Sequence, residues 1–594
     1  MLFGPILARE FTAAPRRASF FVARTVYVAA LLLLLATAWL VLTGTQVVST
    51  VGDLARFGQI VFQILAPLQV ALALFFSALF TASGIAHEKD RGTLDLLMMT
   101  SLTNHELVLG KLGASLVSVL TVWAAGIPFF AATVLFGGIS FAQVLRLALI
   151  TLGAILAAGS IGSTIALWRE KTFQTVALTA LLLVAWLGLG EAAAHGGFGE
   201  SFAGLSAQRW GAALSPLRAV FALHDTAGIV GRESQFPSLL IFFAAVGALT
   251  VLLNAVAIAR VRVWNPTQEV RVVPRAAVAE HESLPRLTSA AAGQTAAVHQ
   301  APGQVRQVWS NPILWREIGT WSLGKKILLI RGAYLVLFGL AALAVYRAVQ
   351  ADRAAVSSNL ALILAPLFVL SFVLVNAVAV TTITSERDGK TLDLLLVTDL
   401  TPKEFIFGKL AGIFYVAKEL VLLPAALCVY LMAHGDVSGE NGCYLLAGLA
   451  VMFVFVAVLG LHIGMTYHNS RSAIGVSLGT IFFLFLGIAT CMRIMVAFSG
   501  SYQLQLAPFL AFMVGGGLGL FFALGIRNPS SAIFLASLLC PIATFWSITS
   551  FLLNQTLGVF LVTALTYGFA TAALLIPALF EFDVATGRTT GKAD

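Results

Sequence analysis

Few residues in this chain have types and spacings that could do chemistry. Asp388-Gly389-Lys390-Thr391 has the look of a phosphate-binding loop's end, where backbone N–H groups and a lysine hold nucleotide phosphates. That loop needs a glycine five residues before Gly389, and Thr384 stands there instead. It also needs a preceding strand, and here a long apolar run of helical length leads in. Nucleotide binding by this chain is therefore not expected. No HExxH, GxSxG or paired-carboxylate arrangement occurs in a polar context, so no catalytic residue is assigned. Cys428, Cys443, Cys491 and Cys540 lie in or beside apolar runs with no CxxC or metal-ligand spacing, so no metal or redox site is expected. What remains is charge inside apolar runs. Lys418 and Glu419 fall in the middle of one run, and Arg493 near the end of another. Such residues mark either a substrate or proton path, or a structural ion pair with a snorkelling arginine. The second reading is the plainer one, and Glu419 then needs a partner, Lys418 or Arg493. His462 reads as a hydrogen-bonded core histidine.

The elements that must position these residues are membrane helices. The chain has 594 residues, of which 59% are hydrophobic and 11% charged, and a mean hydropathy of +0.93. That balance belongs to an all-α polytopic membrane protein surrounded by a lipid bilayer. The net charge of +9 is then a matter of membrane sidedness and carries no nucleic-acid signal. Runs long enough to span lie at 22–44, 60–86, 106–136, 142–167, 173–194 and 237–260. A second set lies at 327–349, 360–383, 405–433, 443–467, 473–497 and 557–580. An extra apolar pair, 505–526 and 531–552, is either two spans or a re-entrant hairpin.

One polar stretch recurs between spans. Residues 88–112 read EKDRGTLDLLMMTSLTNHELVLGKL, and residues 386–410 read ERDGKTLDLLLVTDLTPKEFIFGKL. The shared positions include Glu88/Glu386, Asp90/Asp388, Thr93-Leu94-Asp95/Thr391-Leu392-Asp393 and Gly110-Lys111-Leu112/Gly408-Lys409-Leu410. Leu94, Leu97 and Met98 share a helical face, as do Leu392, Leu395 and Leu396, which predicts a short amphipathic helix in each copy. Thr93 and Thr391 are placed to cap it, with Asp95 and Asp393 in its first turn. Thr103-x-x-Glu106 and Thr401-x-x-Glu404 are capping boxes that start the next span, the second with Pro402 at the first helical position. A capped, charged loop is ordinary between two membrane helices. Its repetition points instead to a docking surface with two equivalent sites. On that reading the leucines fill grooves in a partner, and Glu88 and Glu386 pair with its basic residues.

The duplication extends further. Pro5-Ile6-Leu7-Ala8-Arg9-Glu10 is echoed by Pro312-Ile313-Leu314-Trp315-Arg316-Glu317, each in an amphipathic arm of interfacial character. Ile64-Leu65-Ala66-Pro67-Leu68 matches Ile363-Leu364-Ala365-Pro366-Leu367. The chain thus divides into a first half at 1–264, a disordered linker at 265–310 and a second half at 311–594, each half with an arm and six spans. On these spans 27 of the 36 Lys and Arg fall on one face, which is assigned to the cytoplasm with the repeated loops, the linker and both termini.

These residues resemble a known family. Glu-x-x-x-Gly-Thr-Leu-Asp-Leu-Leu at 88–97, closing with Gly110-Lys111, is similar to the loop between the second and third helices of type-2 ABC transporter permeases. The arm, the six-span half and the segment between helices five and six resemble that family too. The second copy departs from the pattern, with Gly389-Lys390 where the first has Arg91-Gly92. The resemblance implies an exporter permease in the inner (plasma) membrane, two halves fused in one chain. It implies a separate ATPase partner, two copies of it, carrying the ATP and Mg that this chain has no site for. It also implies that Glu88, Gly92, Thr93, Leu94, Asp95, Glu386, Thr391, Leu392 and Asp393 couple the two. Two alternatives are a secondary transporter, which needs central ionisable groups, and a membrane scaffold that recruits a partner without transport.

Overall fold

The computed structural model describes residues 5–13, 18–45, 48–196, 199, 201–202, 205–223, 236–266, 309, 311–319, 327–351, 356–396, 400–498, 506–525, 529–552, 555–580 and 582. The 267–308 stretch of the expected linker, Arg527 and the basic tail lie outside them. Apart from a two-residue antiparallel pairing of Ser201–Phe202 with Leu205–Ser206, the described chain is helical. The first half runs α1 (Pro5–Ala13), α2 (Ala18–Thr45), α3 (Val51–Asp90), α4 (Thr93–Met98), α5 (Asn104–Thr133), α6 (Phe141–Trp168), α7 (Thr172–Ala194), α8 (Ala207–Leu214), α9 (Pro216–Ala222) and α10 (Phe236–Trp264). The second runs α11 (Pro312–Gly319), α12 (Ile327–Ala351), α13 (Val356–Asp388), α14 (Thr391–Leu396), α15 (Pro402–Val416), α16 (Lys418–His434), α17 (Gly439–Thr466), α18 (Ser470–Phe482), a π turn (Phe483–Gly487), α19 (Ile488–Ala497), α20 (Leu506–Leu524), α21 (Ser531–Leu552) and α22 (Thr556–Phe580). Among the described residues 12 helices are long and apolar enough to cross a membrane, and α15 and α16 form an apolar pair bent by 58° at the break between them. The protein is an all-α polytopic membrane protein.

Small residues set the closest helix contacts, as they must where lipid offers no hydrophobic drive for association. In α6 a Cβ on Gly162 would lie 2.5 Å from the Ala78 carbonyl oxygen of α3. In α17 a Cβ on Gly460 would lie 2.9 Å from the Asn376 carbonyl oxygen of α13. Each of two large apolar cores draws on both halves. Leu79, Phe173, Val176, Ala177 and Leu181 pack into the one built mostly from α13–α22, and Ile488, Met492, Met495 and Phe509 into the one built mostly from α2–α10. The seam places α3 against α18 and α7 against α13. Phe75 and Phe482 stack across it with centroids 3.6 Å apart.

The extra apolar pair reaches from one end of the bundle to the other. The Pro508 carbonyl at the start of α20 accepts from Thr37 in the far half of α2. At its other end Leu524 and Ala523 carbonyls accept from His462 and from the Tyr467 hydroxyl, at the loop end of α17. Helix α21 returns, with Phe534 against Phe521 and Phe545 against Phe509. At 19 residues, α20 is about 28 Å long, close to the hydrocarbon thickness. Of the pair, Ser531–Ser550 is long and apolar enough to span, whereas the apolar stretch Pro508–Leu524 of α20 is shorter. Phe582 touches Phe405, in the first turn of α15 beside the second repeated loop.

The paired loops as candidate functional site

Helix α3 has 40 residues, about 60 Å, so it outruns the hydrocarbon and carries its last turns into the polar region. There the chain turns identically in both copies. Arg91 N–H donates to the His87 carbonyl and Gly92 N–H to Lys89, and Gly389 N–H donates to Ser385 and Lys390 N–H to Arg387. The turn ends in a left-handed residue, Gly92 at φ 69° and Lys390 at φ 55°. Lys390 is the one non-glycine with positive φ among the described residues. The second copy thus moves its glycine back by one position and keeps the backbone shape, with a lysine in the strained place. Thr93 and Thr391 do not cap the short helices. Each hydroxyl donates backward, to the Glu88 and Glu386 carbonyls at 3.1 Å, because the preceding left-handed residue already sets the helix start. The two capping boxes, Thr103 with Glu106 and Thr401 with Glu404, both form.

The charges of the repeat are used inside the protein. Glu88 pairs with Lys111 at 2.6 Å, and Glu386 with Lys409 at 2.7 Å. Lys409 is fully buried and also meets Glu317 at 2.6 Å, while Arg316 bonds both Glu317 and Glu386. The arm helix α11 thereby joins the second loop. Glycine lets each arm approach: a Cβ on Gly110 would sit 3.2 Å from Ile6 Cβ, and one on Gly408 2.9 Å from Ile313 Cβ. Lys89 donates to the Leu167 and Arg169 carbonyls, and Arg387 to those of Met465 and Tyr467. Asp90 accepts from Thr172, and Asp388 from Ser470. Glu88 and Glu386, expected to pair with a partner, are each paired within the protein by the repeated lysine of Gly-Lys-Leu.

The apolar faces are inward too. Leu94 is 0% exposed, Met98 3% and Leu392 4%. Leu94 and Met98 pack with Ile85, Leu107, Val108 and Val261 in a small core at the base of the first half. Leu97 and Leu395 are half-buried against their own halves. So the leucines expected to fill a partner's grooves fill the protein's own, since a six-residue helix lying on the bundle turns its i, i+4 face down onto it. Its back carries other apolar residues: Leu96 is 66% exposed, its equivalent Leu394 71%, and Met99 61%. Asp95 is exposed beside them. The side chains of Asp393 and Leu396 lie outside the described residues. Arg262 of α10 braces the first loop, bonding Asn104 and the Met98 and Leu102 carbonyls.

Lys418 and Glu419 sit at a helix break, between α15 and α16. At Ala417 both Leu420 N–H and Val421 N–H turn to one carbonyl, and the Val416 carbonyl accepts from Arg331 Nη2 at 3.4 Å. Glu419 opens α16 with Arg331 Nε 3.5 Å away. Its partner is therefore Arg331 of α12, and neither Lys418 nor Arg493. Lys418 lies over the Tyr415 ring at 4.9 Å, and Arg493 is exposed. Sequence reasoning missed Arg331, although Arg24-x-x-Tyr27 and Arg331-x-x-Tyr334 recur in the first helix after each arm. Gly475-Val476-Ser477-Leu478-Gly479 has the GxSxG spacing, but Ser477 is buried in α18 and donates to Asn376. Among the described residues no three His, Cys, Asp or Glu converge as a metal site. Compared with protein-family models, curated proteins and solved structures, the chain matches none.

Proposed function

We propose that this protein is the permease subunit of an ATP-driven exporter of the type-2 ABC kind, two permease halves in one chain. The observation that carries this reading is the pair of loops. Two short helices of like sequence and like internal bonding lie at one end of the bundle, and each leaves the same position outward, Leu96 and Leu394. An exposed leucine braced from behind by a buried one is a rigid knob for a partner's groove. Two equivalent knobs suit a pair of ATPase subunits, and their joint engagement raises avidity by effective concentration. The ATPases carry ATP and Mg. The loop end then faces the cytoplasm, in agreement with its basic residues, and the seam between halves is where a substrate path would run.

The test is co-purification from native membranes, read as ATP hydrolysis by the isolated complex. Leu96→Asp with Leu394→Asp is expected to lose the ATPase at undiminished permease yield. Leu94→Asp is expected to lose the permease itself, because a carboxylate placed at a fully buried site has no partner. ATPase recovered in full with the double variant overturns the assignment.

A further inference from the structure

Where the loop ends of the halves meet, His87 Nδ1 of α3 lies 2.9 Å from Asp388 Oδ2 of α13, and Arg91 Nε lies 3.6 Å from Asp388 Oδ1. The Asp388 side chain is 1% exposed, and His87 15%. Asp388 also accepts from Ser470 of its own half, and the Asp90 carboxylate of the first half lies close enough to act on both Asp388 and His87. The equivalent position in the first half, Asp90, accepts from Thr172 of its own half. The residues that would reach across to it, at the positions of His87 and Arg91, are Ser385 and Gly389. The bridge is therefore built at one of two equivalent places, with the imidazole and the guanidinium at the loop end of the first half and the carboxylate at that of the second. This also accounts for Arg91 standing where the second copy has its glycine.

We infer that His87, Arg91 and Asp388 form a one-sided ionic latch that holds the loop ends of the two halves together and must open whenever those ends part. Separation strands a buried carboxylate, so the closed state is favoured until something displaces the first loop. Because His87 and Arg91 stand together at the end of α3, displacement of that end alone releases the latch. The inference stands on the seam's geometry and does not depend on the identity of any partner.

Spin labels at Leu96→Cys and Leu394→Cys, in full-length protein with Cys443→Ser in lipid nanodiscs, report the separation of the loops. The unmodified latch is expected to give one narrow distance distribution. Asp388→Asn and, separately, His87→Gln are expected to shift it outward and broaden it. A distribution unchanged by both overturns the latch. Melting temperatures supply a second reading that needs no labels. His87→Gln added to Asp388→Asn is expected to lower the melting temperature no further than Asp388→Asn alone, and additive shifts overturn the pairing. Should Asp388→Asn fail to fold, the His87→Gln distance distribution decides.

Discussion

Lys390 holds a backbone conformation that costs an L-residue about 1 kcal/mol. Lys390→Gly is expected to raise stability by about that amount in thermal unfolding of the purified protein. Gly92→Ala is expected to lower it similarly, although a Cβ there meets nothing within 4 Å, because the strain is purely one of φ. The two lysines of Gly-Lys-Leu should differ. Lys409 is fully buried between Glu317 and Glu386, so Lys409→Met leaves two carboxylates to share Arg316 alone and is expected to cost about 3 kcal/mol. Lys111→Met should cost clearly less, since Glu88 is 31% exposed and can turn to water. The repeat itself was legible in the sequence, residue for residue. Which way its side chains face was not. Periodicity places Leu94, Leu97 and Met98 on one side of a helix, but the same pattern suits a partner's groove and the protein's own floor. Glu88 and Lys111 stand 23 residues apart, and only the return of α5 onto α3 brings them together.

At the scale of elements, the spans follow from length and hydropathy, and the capped starts of α5 and α15 from Thr-x-x-Glu. The break between α15 and α16 does not. Its first-half counterpart, with Leu120 and Thr121 in place of Lys418 and Glu419, runs unbroken through α5. Pro424 is visible in the sequence but lies beyond the break, in α16. What holds the broken end is Arg331, from a helix that ends the linker's other side and shares no local sequence signal with it. Arg331→Met is therefore expected to lower the melting temperature by several degrees, by releasing the Val416 carbonyl and stranding Glu419. Arg24→Met, at the matching position of α2, is expected to do less, since Arg24 bonds the Phe20 carbonyl and lies over the Phe21 ring, both in its own helix. Equal losses in differential scanning fluorimetry would contradict this account of the break.

For the molecule as a whole, the class was plain from composition, and its details depend on contacts between distant segments. The extra pair α20–α21 could not be placed from hydropathy. Its course is set by Thr37, His462 and Tyr467, which hold the two ends of α20 at opposite levels of the bundle. The reading of the protein as a transporter's permease rests on the outward leucines of the two loops, so the most direct measurement is site-specific photo-crosslinking in native membranes. A benzophenone amino acid replaces Leu96, Leu394 or, as a control, the buried Leu392. The account predicts that one ATP-binding polypeptide is captured from both Leu96 and Leu394, and that Leu392 captures only the protein's own chain. Capture of lipid alone from both outward positions, with no ATP-binding polypeptide at either, would contradict it.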